Sequence, residues 1–231
     1  MVGHQKGRAM LKTNFEMKHA PLRIPVLLLG FLLALTVAIS GNASAAMTSV
    51  GVQSQETSLG NLVTDAVRSA AKTPVAFIAA GSFKELNLPT GATQPGDISR
   101  CLQYPDDRIA VIELTGAELT SALERSLEIY PQKNLGFLQV SGMTVKFQGD
   151  KPKGSRVESI TIGGDKLVQA AKYRVATTLP LAEGAYGYFT VWGRDRAKEV
   201  NLSTLSQALT TYLPISDLSA TTHADRIIAS K

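Results

Sequence analysis

Few residues of this chain have the type and spacing to do chemistry. Asn61 and Asp65 stand four apart in an apolar-periodic segment, so on a helix they share one face. Such a pair either lines a ligand cleft or belongs to the helix exterior, solvated or anchoring a neighbouring loop. Polar residues beside an apolar stripe favour the exterior. Asp106 and Asp107 are adjacent carboxylates. A general acid–base pair must face one reacting bond, whereas neighbours that follow Pro105 and precede a strand shape a turn. Lys84, in Gly81-Ser82-Phe83-Lys84, stands where a strand ends and can meet an anion there, or be an ordinary surface lysine. Gly184-Ala185-Tyr186-Gly187-Tyr188 either offers rings on which a planar ligand stacks or forms a buried corner plugged by aromatics.

The negatives are more decisive. The chain has no G-x-x-x-x-G-K-[ST] phosphate loop, H-E-x-x-H or C-x-x-C, and no G-x-S-x-G elbow. A two-metal phosphoesterase site needs several His and Asp ligands around ions ~3.5–4 Å apart. His4 and His19 lie near the N-terminus and His223 near the other end, leaving no His for such a set or for a Ser-His-Asp triad. Cys101 is the only cysteine, so an internal disulfide is impossible and a buried small hydrophobe is the ordinary outcome. No catalytic residue, metal site or cofactor is assigned.

The elements that must position these residues are legible from periodicity. Leu59, Leu62, Val63, Ala66, Val67 and Ala70 mark a helix over Ser58–Ala71, capped by Ser58 or Thr57. Val75–Ala79 reads as a buried strand, and Asp97 is placed to cap a short helix through Cys101. Arg108–Leu114 is a strand running into Thr115-Gly116-Ala117-Glu118, a capping box for a helix ending near Pro131. Leu138–Gln148 reads as one strand with Gly142 inside it. Arg156–Ile162 and Tyr173–Thr178 follow, with a turn at Gly163-Gly164-Asp165. Ser203 is placed to cap a last helix ending at Pro214. Met47–Gln55 is expected to be extended, and residues 214–231 form a polar, loosely held tail. Interspersed helices and strands predict a single α+β domain over residues 47–213, with a mixed β-sheet and packed helices.

Residues 1–46 are set apart by composition. Ile24–Ser40 is apolar and uncharged, basic residues precede it, and Ala43-Ser44-Ala45 follows as an A-x-A cleavage site. These are the marks of a secretory signal peptide; uncleaved, the same run is the chain's one route to a membrane. Met17 would begin a leader of more usual length. The segment holds five of the 24 basic and one of the 19 acidic residues, leaving 19 and 18 in the remainder, a charge of about +1. The basic pI therefore reflects the leader and gives no argument for nucleic-acid binding. An exported protein, periplasmic or extracellular, is expected.

One set of motifs goes further. Glu56-Thr57-Ser58-Leu59-Gly60-Asn61-Leu62-Val63-Thr64-Asp65-Ala66, then PVAFIAAGSFK, PGDI, RIAVIELTGAEL, GFLQVSGM, GSRVESITIGG, YRVATT and GAYGY follow in order from Glu56 to Trp192. Together they resemble the C-terminal domain of the 5′-nucleotidase family of metallophosphoesterases, which holds the nucleotide while a separate N-terminal domain holds two metals. The resemblance implies six ligand-contacting positions, and none keeps the family's residue. Gln55 replaces an Arg, Ala79 an Asn, and Lys84 an Arg, which keeps charge but loses the bidentate fork. The two base-sandwiching aromatics fall on Pro105, beside Tyr104, and on Pro180. An Asp for the ribose hydroxyls falls on Tyr186. Tyr104, Tyr186, Tyr188 and Trp192 are left to rebuild an aromatic pocket. The candidate substrate-binding residues are therefore Lys84, Tyr104, Tyr186, Tyr188, Asn61 and Asp65. Three functions follow: a non-catalytic domain binding a nucleotide-like or other small ligand, an interaction scaffold, or the substrate half of a split hydrolase with a separate metallophosphoesterase chain.

Overall fold

The computed structural model describes residues 47–92, 94–215 and 225–230. The leader, Met17 and the cleavage site lie outside them. Helix α1 (Ser58–Ala71) leads into β1 (Val75–Ala79), then α2 (Pro95–Ser99), β2 (Arg108–Thr115) and α3 (Gly116–Ser126). Five strands follow: β3 (Leu138–Ser141), β4 (Met143–Gln148), β5 (Val157–Ile162), β6 (Asp165–Lys166) and β7 (Lys172–Thr178). The order closes with α4 (Leu179–Ala182), β8 (Ala197–Thr204), α5 (Leu205–Tyr212) and β9 (Ile227–Ser230).

A five-stranded mixed sheet runs β3-β1-β7-β2-β8, and a four-stranded sheet runs β6-β5-β4-β9. Strand β1 is parallel to β7 and antiparallel to β3, with Val75 opposite Val175 and Phe77 opposite Val140. All five residues of β1 are buried, because strand alternation feeds both faces. Ala76 and Ile78 join a core with Leu59, Leu62, Val63 and Leu209 of α1 and α5. Val75, Phe77 and Ala79 join a second core with Leu119, Leu123, Tyr188 and Trp192. Burial on both faces explains the unbroken apolar run in the sequence.

The segment Leu138–Gln148, expected as one strand, is two. Gly142 stands between β3 and β4 at φ 77°, and a Cβ there would lie 2.0 Å from the Pro74 carbonyl oxygen. The left-handed residue sends the chain from one sheet into the other, a step glycine takes without steric penalty.

Helix starts follow their local chemistry. The Thr57 hydroxyl caps α1 by accepting from the Gly60 N–H at 3.1 Å. The Thr115–Glu118 box closes in both directions at 3.2 and 2.8 Å. Helix α5 is capped by Thr204, one residue beyond Ser203, in a reciprocal box with Gln207. Asp97 lies inside the first turn of α2 instead of capping it. Helix α3 ends at Ser126, earlier than expected. Met47–Gln55 folds into turns, with the Gln55 N–H donating to the Gly51 carbonyl at 3.0 Å. The expected loose tail carries β9, parallel to β4 with Ile227 opposite Val145.

Candidate functional site

Two of the six predicted site residues meet at one cavity. Its volume is about 240 Å³, and Ser82, Tyr104, Asp107, Thr178, Pro180 and Tyr186 line it. The floor comes from sheet ends: Ser82 just beyond β1 and Thr178 at the end of β7, 2% and 1% exposed. Pro180 rises from the first turn of α4, where a missing N–H costs nothing. Tyr104 stands half out of the surface.

Tyr104 and Asp107 flank a turn closed by the Asp107 N–H donating to the Tyr104 carbonyl at 3.1 Å; the Asp107 carbonyl accepts from the Leu205 N–H at 3.0 Å. The two adjacent aspartates thus shape a turn, as their setting predicts. The same turn also aims Asp107 into the cavity, a role its sequence neighbourhood does not signal. Burial raises the Asp107 carboxyl above its ordinary value. Burial also raises the Tyr186 phenol, with the nearby acidic groups Tyr104 and Asp107 adding to the shift and the Ser82 hydroxyl opposing it.

Tyr186 is held in an unusual backbone state. Its φ and ψ are 57° and 24°, left-handed and costly for a residue with a Cβ. The Arg125 guanidinium donates to the Tyr186 carbonyl at 3.0 Å, and Gly187 admits it, since a Cβ there would lie 2.3 Å from an Arg125 nitrogen. The ring then packs over Gly81, where a Cβ would lie 2.4 Å from Tyr186 Cε1. Gly81 and Gly187 are therefore the seats of a ring and a guanidinium.

The other four predicted residues lie elsewhere. Tyr188 is fully buried, stacks on Trp192 with ring centroids 4.9 Å apart, and donates its hydroxyl to the Gly136 carbonyl at 2.7 Å. Trp192 stacks on Phe77 at 5.9 Å and donates its indole N–H to the Leu181 carbonyl. Both rings are core plugs and cannot line an open pocket. The Gly/aromatic loop thus does both things its sequence allowed, with Tyr186 at the cavity and Tyr188 in the core. Tyr188→Phe leaves the Gly136 carbonyl without that donor and lowers stability by about 1–3 kcal/mol, read from chemical denaturation. Lys84 is exposed and is not among the lining residues.

Asn61 and Asp65 are buried, and they fasten the end of the chain. The Arg226 guanidinium donates to both Asp65 oxygens at 2.9 and 2.7 Å, and the Ser141 hydroxyl donates to Asp65 at 2.5 Å. Asn61 donates to Glu56, whose other oxygen accepts the N–H groups of Arg226 and Ile227 at 2.6 and 2.9 Å. Their shared face is an anchor. Cys101 is fully buried, and desolvation pushes its thiol up to about 12.

A larger, more open cleft of about 490 Å³ lies at the end of α3, bordered by Arg125, Glu128, Lys153 and Phe189. Its charges are partnered: Glu128 meets Arg125 and, at 3.7 Å, Lys153, while Glu124 accepts the Arg156 and Val157 N–H groups at 3.1 and 2.7 Å. Among the described residues no three His, Cys, Asp or Glu side chains gather where they could hold a metal. No helix among them is long and apolar enough to cross a membrane.

A family model described as 5′-nucleotidase, C-terminal domain, matches residues 36–193. The chain belongs to that family. An apyrase from Anopheles gambiae is 31% identical over 146 residues, covering 58% of this chain and 25% of that protein. A 5′-nucleotidase from Diplobatis ommata is 31% identical over 113 residues, covering 46% and 19%. The chain thus spans a quarter or less of these two relatives. Among solved structures, a 5′-nucleotidase precursor from Thermus thermophilus superposes with a TM-score of 0.69 at 24% identity, covering 81% of this chain and 38% of that one. A 5′-nucleotidase from Staphylococcus aureus gives 0.64 at 18%, covering 82% and 40%. The fold of this 5′-nucleotidase C-terminal domain is α+β, as its sequence predicts.

Proposed function

We propose that this chain is an exported, non-catalytic relative of the nucleotide-recognition domain, whose cavity takes a small ligand other than a nucleotide. The observation carrying this reading is Tyr186. Its ring packs on Gly81 and leaves about 240 Å³, below the ~300–1,000 Å³ of sites for drug-sized ligands. No Lys or Arg side chain lines that space to hold a phosphate. Export draws on the leader's apolar run and A-x-A site.

The test exposes the chain freed of residues 1–46 to AMP, ADP and UDP-glucose with Mg²⁺ or Mn²⁺. The expected results are no phosphate release above buffer and no rise in melting temperature, although a ligand at ~100 Kd would add ~2.7 kcal/mol. Chelator-sensitive phosphate release would overturn the non-catalytic reading. A second reading, the substrate half of a split hydrolase acting with a separate metallophosphoesterase chain, draws on the match of residues 36–193 to the 5′-nucleotidase C-terminal domain. A nucleotide-induced melting shift without turnover would favour it.

A further inference from the structure

We propose that the cavity bordered by Tyr104, Asp107 and Tyr186 is a site for a small organic cation, a primary amine or quaternary ammonium; this rests on the small-ligand reading above. Charge supplies the first argument. Among the lining residues Asp107 is the one carboxylate, and no Lys or Arg accompanies it. An anionic ligand would meet repulsion there. A neutral ligand would deepen the burial of a carboxylate without compensating it. A cation forms a charge-assisted contact.

The walls supply the second argument. Tyr104 and Tyr186 bring two phenol rings to the same space, and cations are attracted to aromatic faces within ~6 Å of the ring centroid. The hydroxyls of Ser82 and Thr178 at the floor can accept from ammonium N–H groups. Preorganisation supplies the third. Backbone hydrogen bonds to Tyr104 and Leu205 fix the Asp107 turn, and Arg125 and Gly187 fix Tyr186. The site is therefore shaped before a ligand arrives, which lowers the entropy cost of binding. The larger cleft at the end of α3 offers no comparable vacancy of charge, since Glu128 pairs with Arg125 and Lys153, and Glu124 accepts the N–H groups of Arg156 and Val157.

The test is calorimetry on the chain expressed from its full sequence, using choline, n-butylamine, the uncharged choline isostere 3,3-dimethyl-1-butanol, and AMP. Amide shifts of residues 82, 107, 178 and 186 locate any binding. At least one cation is expected to bind in the cavity while the isostere does not. Asp107→Asn is expected to weaken binding about tenfold or more. The two backbone bonds at that position survive the substitution, and a melting curve verifies the fold. Equal binding of choline and its isostere, or cation affinity unchanged in D107N, would overturn the cation assignment and leave the small-ligand reading standing. AMP binding in the cavity would overturn both, as would no response to any of the four.

Discussion

Arg226→Ala lowers the unfolding free energy by about 3–5 kcal/mol, the range for removing one partner of a buried ion pair. The geometry places this pair at that end of the scale. The guanidinium is bidentate on Asp65, and the two side chains are 13% and 8% exposed. It also donates to the Val140 carbonyl at 3.0 Å, so one side chain joins α1, β3 and the last strand. Without it, the Asp65 carboxylate loses its direct ion pair and stays buried with the Ser141 hydroxyl, through which Arg68, donating to that hydroxyl at 2.7 Å, is the cation left to it. Burial also limits screening, so added salt recovers little of the loss. The measurement is urea denaturation of the wild type, Arg226→Ala, Asp65→Asn and the double variant. The double variant is expected to lose clearly less than the sum of the singles, because the second change removes a group already stranded. Additive losses, or an Arg226→Ala loss below about 1 kcal/mol, would show that the pair is no anchor.

This anchor also shows where the sequence was legible. In Gly60–Ala66 the polar pair Asn61 and Asp65 allowed either a ligand cleft or a helix face that is solvated or anchors a loop. The stretch fastens the framework: Asn61 and Asp65 hold the segment at Arg226 and Ile227, Asn61 through Glu56, and Gly60 leaves room for Gln139. Gln139 lies in GFLQVSG and receives the Thr57 N–H at 3.0 Å, so the two motifs interlock. Helix α1, strand β1 and the Thr115 box were readable because each is set by local periodicity or a local cap. Strands β8 and β9 were not, because a partner strand defines them more than their own pattern does. Gly142 reads as a mere interruption in sequence, since only the packing of Pro74 shows that the chain must change sheets there. Tyr186 and Tyr188 are two apart in one loop, yet one lines a cavity and the other is core; the left-handed turn at Tyr186 and Gly187 separates them. Asp107 does not stand out in the sequence because a turn aspartate and a pocket aspartate look identical until the opposite wall is known.

Restoring two family contacts should return nucleoside binding to this scaffold. The resemblance puts a base-stacking aromatic at Pro180 and a ribose-binding Asp at Tyr186, and both positions line the one cavity. In Pro180→Phe/Tyr186→Asp, the new ring offers about 1–3 kcal/mol of stacking. The carboxylate, accepting from the ribose hydroxyls, offers about 1.5–3 kcal/mol. Together these correspond to about two to four orders of magnitude in adenosine affinity over the wild type, measured by calorimetry. The backbone accepts both changes. Asp tolerates the φ of 57° at position 186 better than Tyr does, and the loss of the phenol clears the space above Gly81. Position 180 lies in the first turn of α4, where the N–H regained from proline needs no helical partner. Each single variant is expected to show only part of the gain, since a base stacks well only when the sugar is held. If the double variant folds with wild-type stability and binds adenosine no better, then Pro180 and Tyr186 do not occupy the family's contact positions. If it binds, the Tyr186 ring over Gly81 is what closes this domain to nucleosides, and the present cavity is the space that closure leaves.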